Sequence, residues 1–321
     1  MARYIATRLI SSLILLWIIS VLVFLLMTAL PGDPTLKGTF EMTAENREIV
    51  RERLGLNDPL PQRYFDWLFP ALQGDLGVSL ARTVGTVSIS TLFERRIPAT
   101  VELGILSLLV VVTVAVPIGV LSALKPGSKR EVAAGTAMIV GNSIPEFVTG
   151  IALILVISLH FDLLPVGGYV AFTEDPIENL KRMAMPVLAI SLTATTLLMR
   201  QTRSAMINVL SDDYIRTARA KGLRERAVVV RHALRNALIP VITIFGFQAG
   251  LIFSGAVITE QVFNIPGMGR LFVESVVVEQ DYNVIQNLVM FFAIATLLVN
   301  LLVDVSYTLI DPRIRTGGRS A

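Results

Sequence analysis

The chain contains no cysteine, so no disulfide can brace it, and nothing about its redox compartment follows from thiol usage. It has only two histidines, His160 and His232. They stand alone, with no H-E-x-x-H and no clustered ligand set, and no metal site is expected. No G-x-x-x-x-G-K-[ST] loop occurs to cradle nucleotide phosphates. "KPGSKRE" at 125–131 has a glycine and lysines without that spacing, and reads as a basic turn. Asp304 is the only aspartate inside an apolar block, so the aspartate pair of an intramembrane protease is absent too. Basic residues have few aromatics among them, which argues against nucleic-acid binding. The sequence predicts no enzyme.

Charge is scarce, at 17% of residues, while hydrophobic residues make up 53%. A mean hydropathy of +0.67 places the chain outside the usual soluble range. The apolar residues gather into six blocks, about 9–30, 99–124, 133–159, 183–200, 237–259 and 285–310. Such lengths cross a ~30 Å hydrocarbon core as helix and are too long for barrel strands. The fourth block is the shortest, opened by Pro186 and closed by Arg200. The first follows Arg3 and Arg8, but it outruns the roughly 7–15 apolar residues of a secretion signal and has no A-x-A before Pro31. It reads as a span. The expected architecture is an all-α polytopic membrane protein with six transmembrane helices and a long external loop between the first two.

Six spans put both termini on one side. That side collects Arg3, Arg8, Lys125, Lys129, Arg130, the basic stretch 201–236, and Arg313, Arg315 and Arg319. Across the membrane, 160–182 carries Asp162, Glu174, Asp175 and Glu178 against Lys181 and Arg182. The 260–283 connection carries Glu260, Glu274, Glu279 and Asp281 against Arg270. Because Lys and Arg favour the cytoplasmic face, both termini and 201–236 are expected there. The chain then divides into a first span (1–30), an external cap segment (31–98), a five-helix core (99–310) and a cytoplasmic tail (311–321). Within the cap, "NREIVRERLGL" has helical spacing ended by Gly55, and "PQRYFDWLFPALQGDLG" is aromatic and amphipathic. Two readings stand: a folded cap on the outer interface, or a docking surface for an extracytoplasmic partner.

The most hydrophilic stretch is "DDYIRTARAKGLRERAVVVRHALRN", 212–236. Tyr214, Thr217, Ala218 and Lys221 follow i, i+3, i+4, i+7 and predict one face of a short helix. Gly222 can end it by taking a left-handed conformation. "RERAVVVRHALRNALIP" then predicts a second helix running into the fifth span. A short helix, a glycine corner and a long returning helix suit insertion into a cytosolic partner. Contact with anionic lipid headgroups is the other reading. Glu146, after Pro145 and about midway along the third span, is a costly charge in lipid, so it should face protein or water. It is either a structural carboxylate bonded to a neighbouring helix or a wall residue of a translocation pathway.

The stretch around Gly222 resembles the cytoplasmic "EAA" loop of ABC-importer permeases: E-A-A, three residues, Gly, nine residues, I-x-L-P. Gly222 falls on the glycine, Arg216, Thr217 and Ala218 on the E-A-A, and His232, Ala233, Leu234 and Arg235 on the I-x-L-P. Ala218, Gly222 and Leu234 match the general pattern. "YIRTARAKGL…HALRNALIPV" is closer to the dipeptide, oligopeptide and nickel subfamily. "LPGDP" (30–34), "RIPATVELG" (96–104), "SIPEF" (143–147), "VFNIPGMGRL" (262–271) and "DPRIR" (311–315) extend the likeness along nearly the whole chain.

The resemblance implies a type I ABC-importer permease fold and the B-type integral subunit of an importer in a prokaryotic plasma (inner) membrane. Its cargo would be peptides, with nickel or another small solute as the alternative. It implies these partners: a second homologous permease, two cytosolic ATP-binding subunits, an extracytoplasmic solute-binding protein and membrane lipid. ATP and magnesium would reside in the partner subunits, with no cofactor in this chain. Arg216, Thr217, Ala218, Lys221, Gly222, Leu223 and Arg224 would form the ATPase-coupling contact. The rival from another class is an ion-coupled secondary transporter. It would need a relay of intramembrane carboxylates, and Glu102, Glu146 and Asp304 form no evident one.

Overall fold

A computed structural model describes residues 2–29, 57–79, 87–125 and 127–310. Eleven α-helices order the described residues: α1 (Ala2–Ala29), α2 (Leu60–Leu72), α3 (Ile89–Leu124), α4 (Lys129–Ser143), α5 (Glu146–Leu153), α6 (Pro176–Leu210), α7 (Asp213–Ala220), α8 (Glu225–Ala227), α9 (Arg235–Val262), α10 (Met268–Val273) and α11 (Tyr282–Ile310). Wide π turns extend three of them: Ile154–His160 after α5, Val228–Leu234 joining α8 to α9, and Glu274–Glu279 after α10.

Five single helices are long and apolar enough to cross a membrane: α1, α3, α6, the α8–α9 rod and α11. A sixth crossing exists if the bent pair α4–α5 forms one span. Among the described residues, all six expected blocks fall on these elements. The third is not a straight helix, for Ile144 is extended and Pro145 supplies no amide hydrogen, and its second half is bent by 101° from the first.

The fourth span is far longer than the expected 183–200. Helix α6 covers 35 residues, and most of its apolar window is buried. It packs along α3 and α9, with Met183, Met185, Leu198 and Met206 almost wholly enclosed. A helix surrounded by protein has less need of lipophilic surface, so hydropathy alone underestimates it. Gly119 of α3 lets the helices close: a Cβ there would stand 2.8 Å from the Met199 carbonyl oxygen. Gly104 likewise lies under Phe253 of α9. Small residues at such contacts replace the hydrophobic drive that lipid removes.

Helix α1 lies at the edge of this core, packed chiefly on α11. Arg8 pairs with Asp304 at 3.3 Å, so the lone intramembrane aspartate has a counter-charge. Nearer its other end, Ser20 shares a 2.7 Å hydrogen bond with the Tyr64 hydroxyl of α2, and Phe24 meets the Tyr64 ring edge-on. Helix α2 is thus seated against α1 by a buried tyrosine, while Phe65, Phe69 and Leu72 stay exposed. The helix expected through 46–56 lies outside the described residues.

The acidic connections meet at one end of the bundle. Ser79 donates to Asp281 at 2.6 Å, Arg96 pairs with Glu274 at 3.1 Å, and the Gly168 amide donates to the Phe263 carbonyl at 2.8 Å. Glu260 is fully buried there. It accepts from the Thr100 hydroxyl at 2.6 Å and from the Arg270 amide at 2.9 Å, tying α3 and the start of α10 to the end of α9. Tyr169 donates to Glu102 at 2.8 Å. Burial and that carboxylate push the phenol above its ordinary range and keep it a donor. The start of α4 and the last turns of α6 meet at the opposite, basic end, where Glu131 pairs with Arg203.

Candidate functional site

The basic end projects a short helix and a corner. Asp212 and Asp213 place negative charge at the start of α7, complementing the helix dipole. At its end Gly222 has φ +76. The Gly222 amide donates to the Arg219 carbonyl at 2.9 Å and the Leu223 amide to the Ala218 carbonyl at 3.4 Å, the paired bonds of a Schellman stop. A Cβ on Gly222 would meet nothing within 4 Å, so backbone conformation alone demands glycine. The expected helix, corner and returning rod are all present.

The faces of α7 are arranged differently from the expected stripe. Ile215 and Ala218 are buried against the bundle, because Ile215 is the only large aliphatic side chain in the helix. Burying it contributes roughly 2 kcal/mol of docking. Ala218 therefore supports the corner from beneath. Tyr214, Arg216, Thr217, Lys221, Gly222, Leu223 and Arg224 are exposed, Leu223 at 43%.

Two ties that sequence reading missed brace this projection. Arg219 grips Glu225 across the corner with Nε–Oε2 at 3.2 Å and Nη2–Oε1 at 2.7 Å. Asn236 donates to the Tyr214 hydroxyl at 2.7 Å, linking α7 to the first turn of α9. Both are exposed, so each contributes little to global stability. Their effect is local, holding the angle between α7 and the rod.

Glu146 opens α5 immediately after the break. It is half-buried and accepts a hydrogen bond from Thr259 of α9. Gly255, one turn away, makes room: a Cβ there would lie 3.0 Å from the Glu146 Oε2. Glu146 is midway along the third block in sequence, yet its partner lies three residues from the end of α9, towards the acidic end. The bend places it there. Asn142, Ser143, Ile144 and Pro145 are exposed around it, and no side chain caps α5.

The three intramembrane carboxylates therefore have three separate partners: Tyr169 for Glu102, Thr259 for Glu146 and Arg8 for Asp304. Among the described residues no group of three His, Cys, Asp or Glu could hold a metal ion.

Residues 115–316 match the family described as "Binding-protein-dependent transport system inner membrane component", and residues 1–104 match the N-terminal membrane component of such systems. The chain belongs to this family. It is a transport permease, not an enzyme. The oligopeptide transport system permease protein AppB of Bacillus subtilis is 40% identical over 317 residues, covering 98% of this chain and 99% of the relative. The dipeptide transport system permease protein DppB of Escherichia coli K12 is 35% identical over 322 residues, covering 92% and 94%.

Among solved structures, the inward-facing MetNI methionine ABC transporter superposes with a TM-score of 0.56 at 16% identity. That match covers 69% of this permease and 97% of the other chain. The fold is therefore that of an ABC-importer permease, with roughly a third of this chain beyond the shared part.

Proposed function

We propose that this permease imports peptides, that its basic end lies in the cytosol, and that the corner from Arg216 to Arg224 receives an ATP-binding subunit. The carrying observation is the corner itself: an exposed, basic, glycine-stopped helix braced by Arg219–Glu225 and Tyr214–Asn236, projecting where positive charge collects. Lipid contact alone would require neither the stop nor the braces. The peptide names of AppB and DppB support the choice of cargo. In this reading two ATP-binding subunits hold ATP and magnesium, a second permease completes the pathway, and a binding protein delivers solute on the acidic side. ATP binds the closed pair of ATPases more tightly than the open pair, and that differential affinity shifts the permeases between states.

One labelling experiment tests orientation and docking together, because the chain has no cysteine of its own. Gln73 and Lys221 are both exposed, at opposite ends. An impermeant thiol reagent should label Gln73→Cys in intact cells and Lys221→Cys only after permeabilisation. Assembly with the ATP-binding subunits should shield Lys221→Cys. Labelling of Lys221→Cys from outside would overturn the orientation, and equal labelling with and without the subunits would overturn the docking.

Glu146 is assigned to the wall of the translocation pathway. Ser143 lies about 21 Å along α4 from Lys129, at ~1.5 Å per residue, well inside the membrane. Helix ends leave backbone groups unbonded, and lipid cannot satisfy them. An exposed break at that depth calls for water or another protein in front of it, and a pathway between two permeases supplies both. Glu146→Gln keeps the shape and removes the charge. Assembly and ATP hydrolysis should persist, while uptake of a zwitterionic dipeptide falls roughly fivefold, the worth of about 1 kcal/mol of charge-assisted bonding. Unchanged uptake would leave Glu146 a purely structural partner of Thr259.

A further inference from the structure

The structure assigns to the Glu131–Arg203 ion pair the transmission of corner movement to the broken span, an assignment that rests on the coupling role proposed above for the corner. Helix α6 runs unbroken to Leu210, and only Ser211 and Asp212 separate it from α7. Arg203 stands two turns before that end. Its guanidinium reaches across to Glu131 in the first turn of α4, and the other Glu131 oxygen accepts the Gly127 amide. Ser128 caps the same turn by accepting from the Glu131 amide at 3.3 Å. The carboxylate is therefore fixed to the base of α4 on one side and to α6 on the other.

The outer face of α4 is bare. Val132, Ile139 and Val140 are 64%, 71% and 51% exposed, and a Cβ on Gly135 would meet nothing within 4 Å. Met138 is its one buried large apolar side chain among the described residues. Helix α4 meets α6 closely again at Gly141, where a Cβ would stand 2.5 Å from the Thr196 methyl. Ten residues separate Glu131 from Gly141, about 15 Å of helix. A helix tied to α6 near both ends, with its outer face open, follows α6 as one rod. Its upper end carries Pro145 and Glu146 within five residues of Gly141. The α3–α4 turn is a poor alternative route, since Gly127 bends it with φ +79. Discrete side-chain ties of this kind are the physical carriers of coupling, and a swap of partners is their direct test.

The test uses the complete transporter, permeases with their ATP-binding subunits, in lipid vesicles. Spin labels at Ile139→Cys on α4 and at Thr173→Cys, exposed in the acidic-end connection, report their separation with and without ATP. The native pair should shift on ATP addition. Glu131→Arg alone, or Arg203→Glu alone, should cut that shift to less than half, and the two together should restore it. Where a charge reversal blocks assembly, Glu131→Gln and Arg203→Gln are held to the same criterion. The assignment is overturned by a native distance that ignores ATP, by single variants that shift like the native protein, or by a double swap no better than either single. Shielding of Lys221→Cys, followed in parallel, reports separately on the docking reading. Its loss with the swap intact would indict the corner and not the ion pair.

Discussion

Gly222→Val uncouples the transporter: ATP hydrolysis loses its link to uptake, or the ATP-binding subunits no longer co-purify. Gly222 sits at φ +76 in a Schellman stop, where a side chain meets no neighbour but strains its own backbone. Left-handed geometry costs an ordinary residue about 1–2 kcal/mol, and more when the side chain is β-branched. The native corner should then be depleted by roughly 5–30-fold against helices that run on or swing away. Gly222→Asn, which tolerates this conformation, should retain most transport, and Gly222→Ala should fall between. Uptake and hydrolysis measured side by side on all three variants give the ranking. Full transport by Gly222→Val would remove the reason for placing coupling at this corner.

Gly167→Ala collapses the acidic end. A Cβ on Gly167 would lie 2.0 Å from the Phe263 carbonyl oxygen and 2.8 Å from its carbon, and both are backbone atoms that cannot rotate away. Relief requires the 161–175 connection to lift from the end of α9. That would break the 2.8 Å bond from the Gly168 amide to Phe263 and the 2.8 Å bond from Arg182 Nη1 to the Gly167 carbonyl. Overpacking of this kind, with two hydrogen bonds lost, should cost about 3 kcal/mol or more. Thermal unfolding of the purified protein should show a large fall in Tm. Gly135→Ala is the control: it adds a methyl to open space inside a helix, and should be neutral or stabilising by up to about 1 kcal/mol. Equal stability of the two variants would contradict the close contact between the 161–175 connection and α9.

Local chemistry made much of this protein legible before any coordinates. Most spans announce themselves because lipid requires about twenty apolar residues in a row, and that demand is met within one segment. The corner is legible for the same reason. A left-handed stop needs a glycine at one position, and its two bonds reach back only three and five residues. Pro145 likewise marks the break in the third span, because a missing amide is a property of the residue itself.

What tertiary structure alone decided is where separate segments meet. Glu131 and Arg203 are 72 residues apart and Glu146 and Thr259 are 113 apart, and neither pair has a local signature. The S-x-x-E of Ser128 and Glu131 hints at a helix start but not at the arginine that comes to it. Helix α6 was underestimated because its surroundings are protein, which a hydropathy window cannot see. Ala218 faces inward because it lies one turn from Ile215, on the face that the bundle covers. Sequence determined the elements, through interactions closed within a few residues. The fold determined the partners, because a side chain's contacts depend on which distant helix packing brings to it.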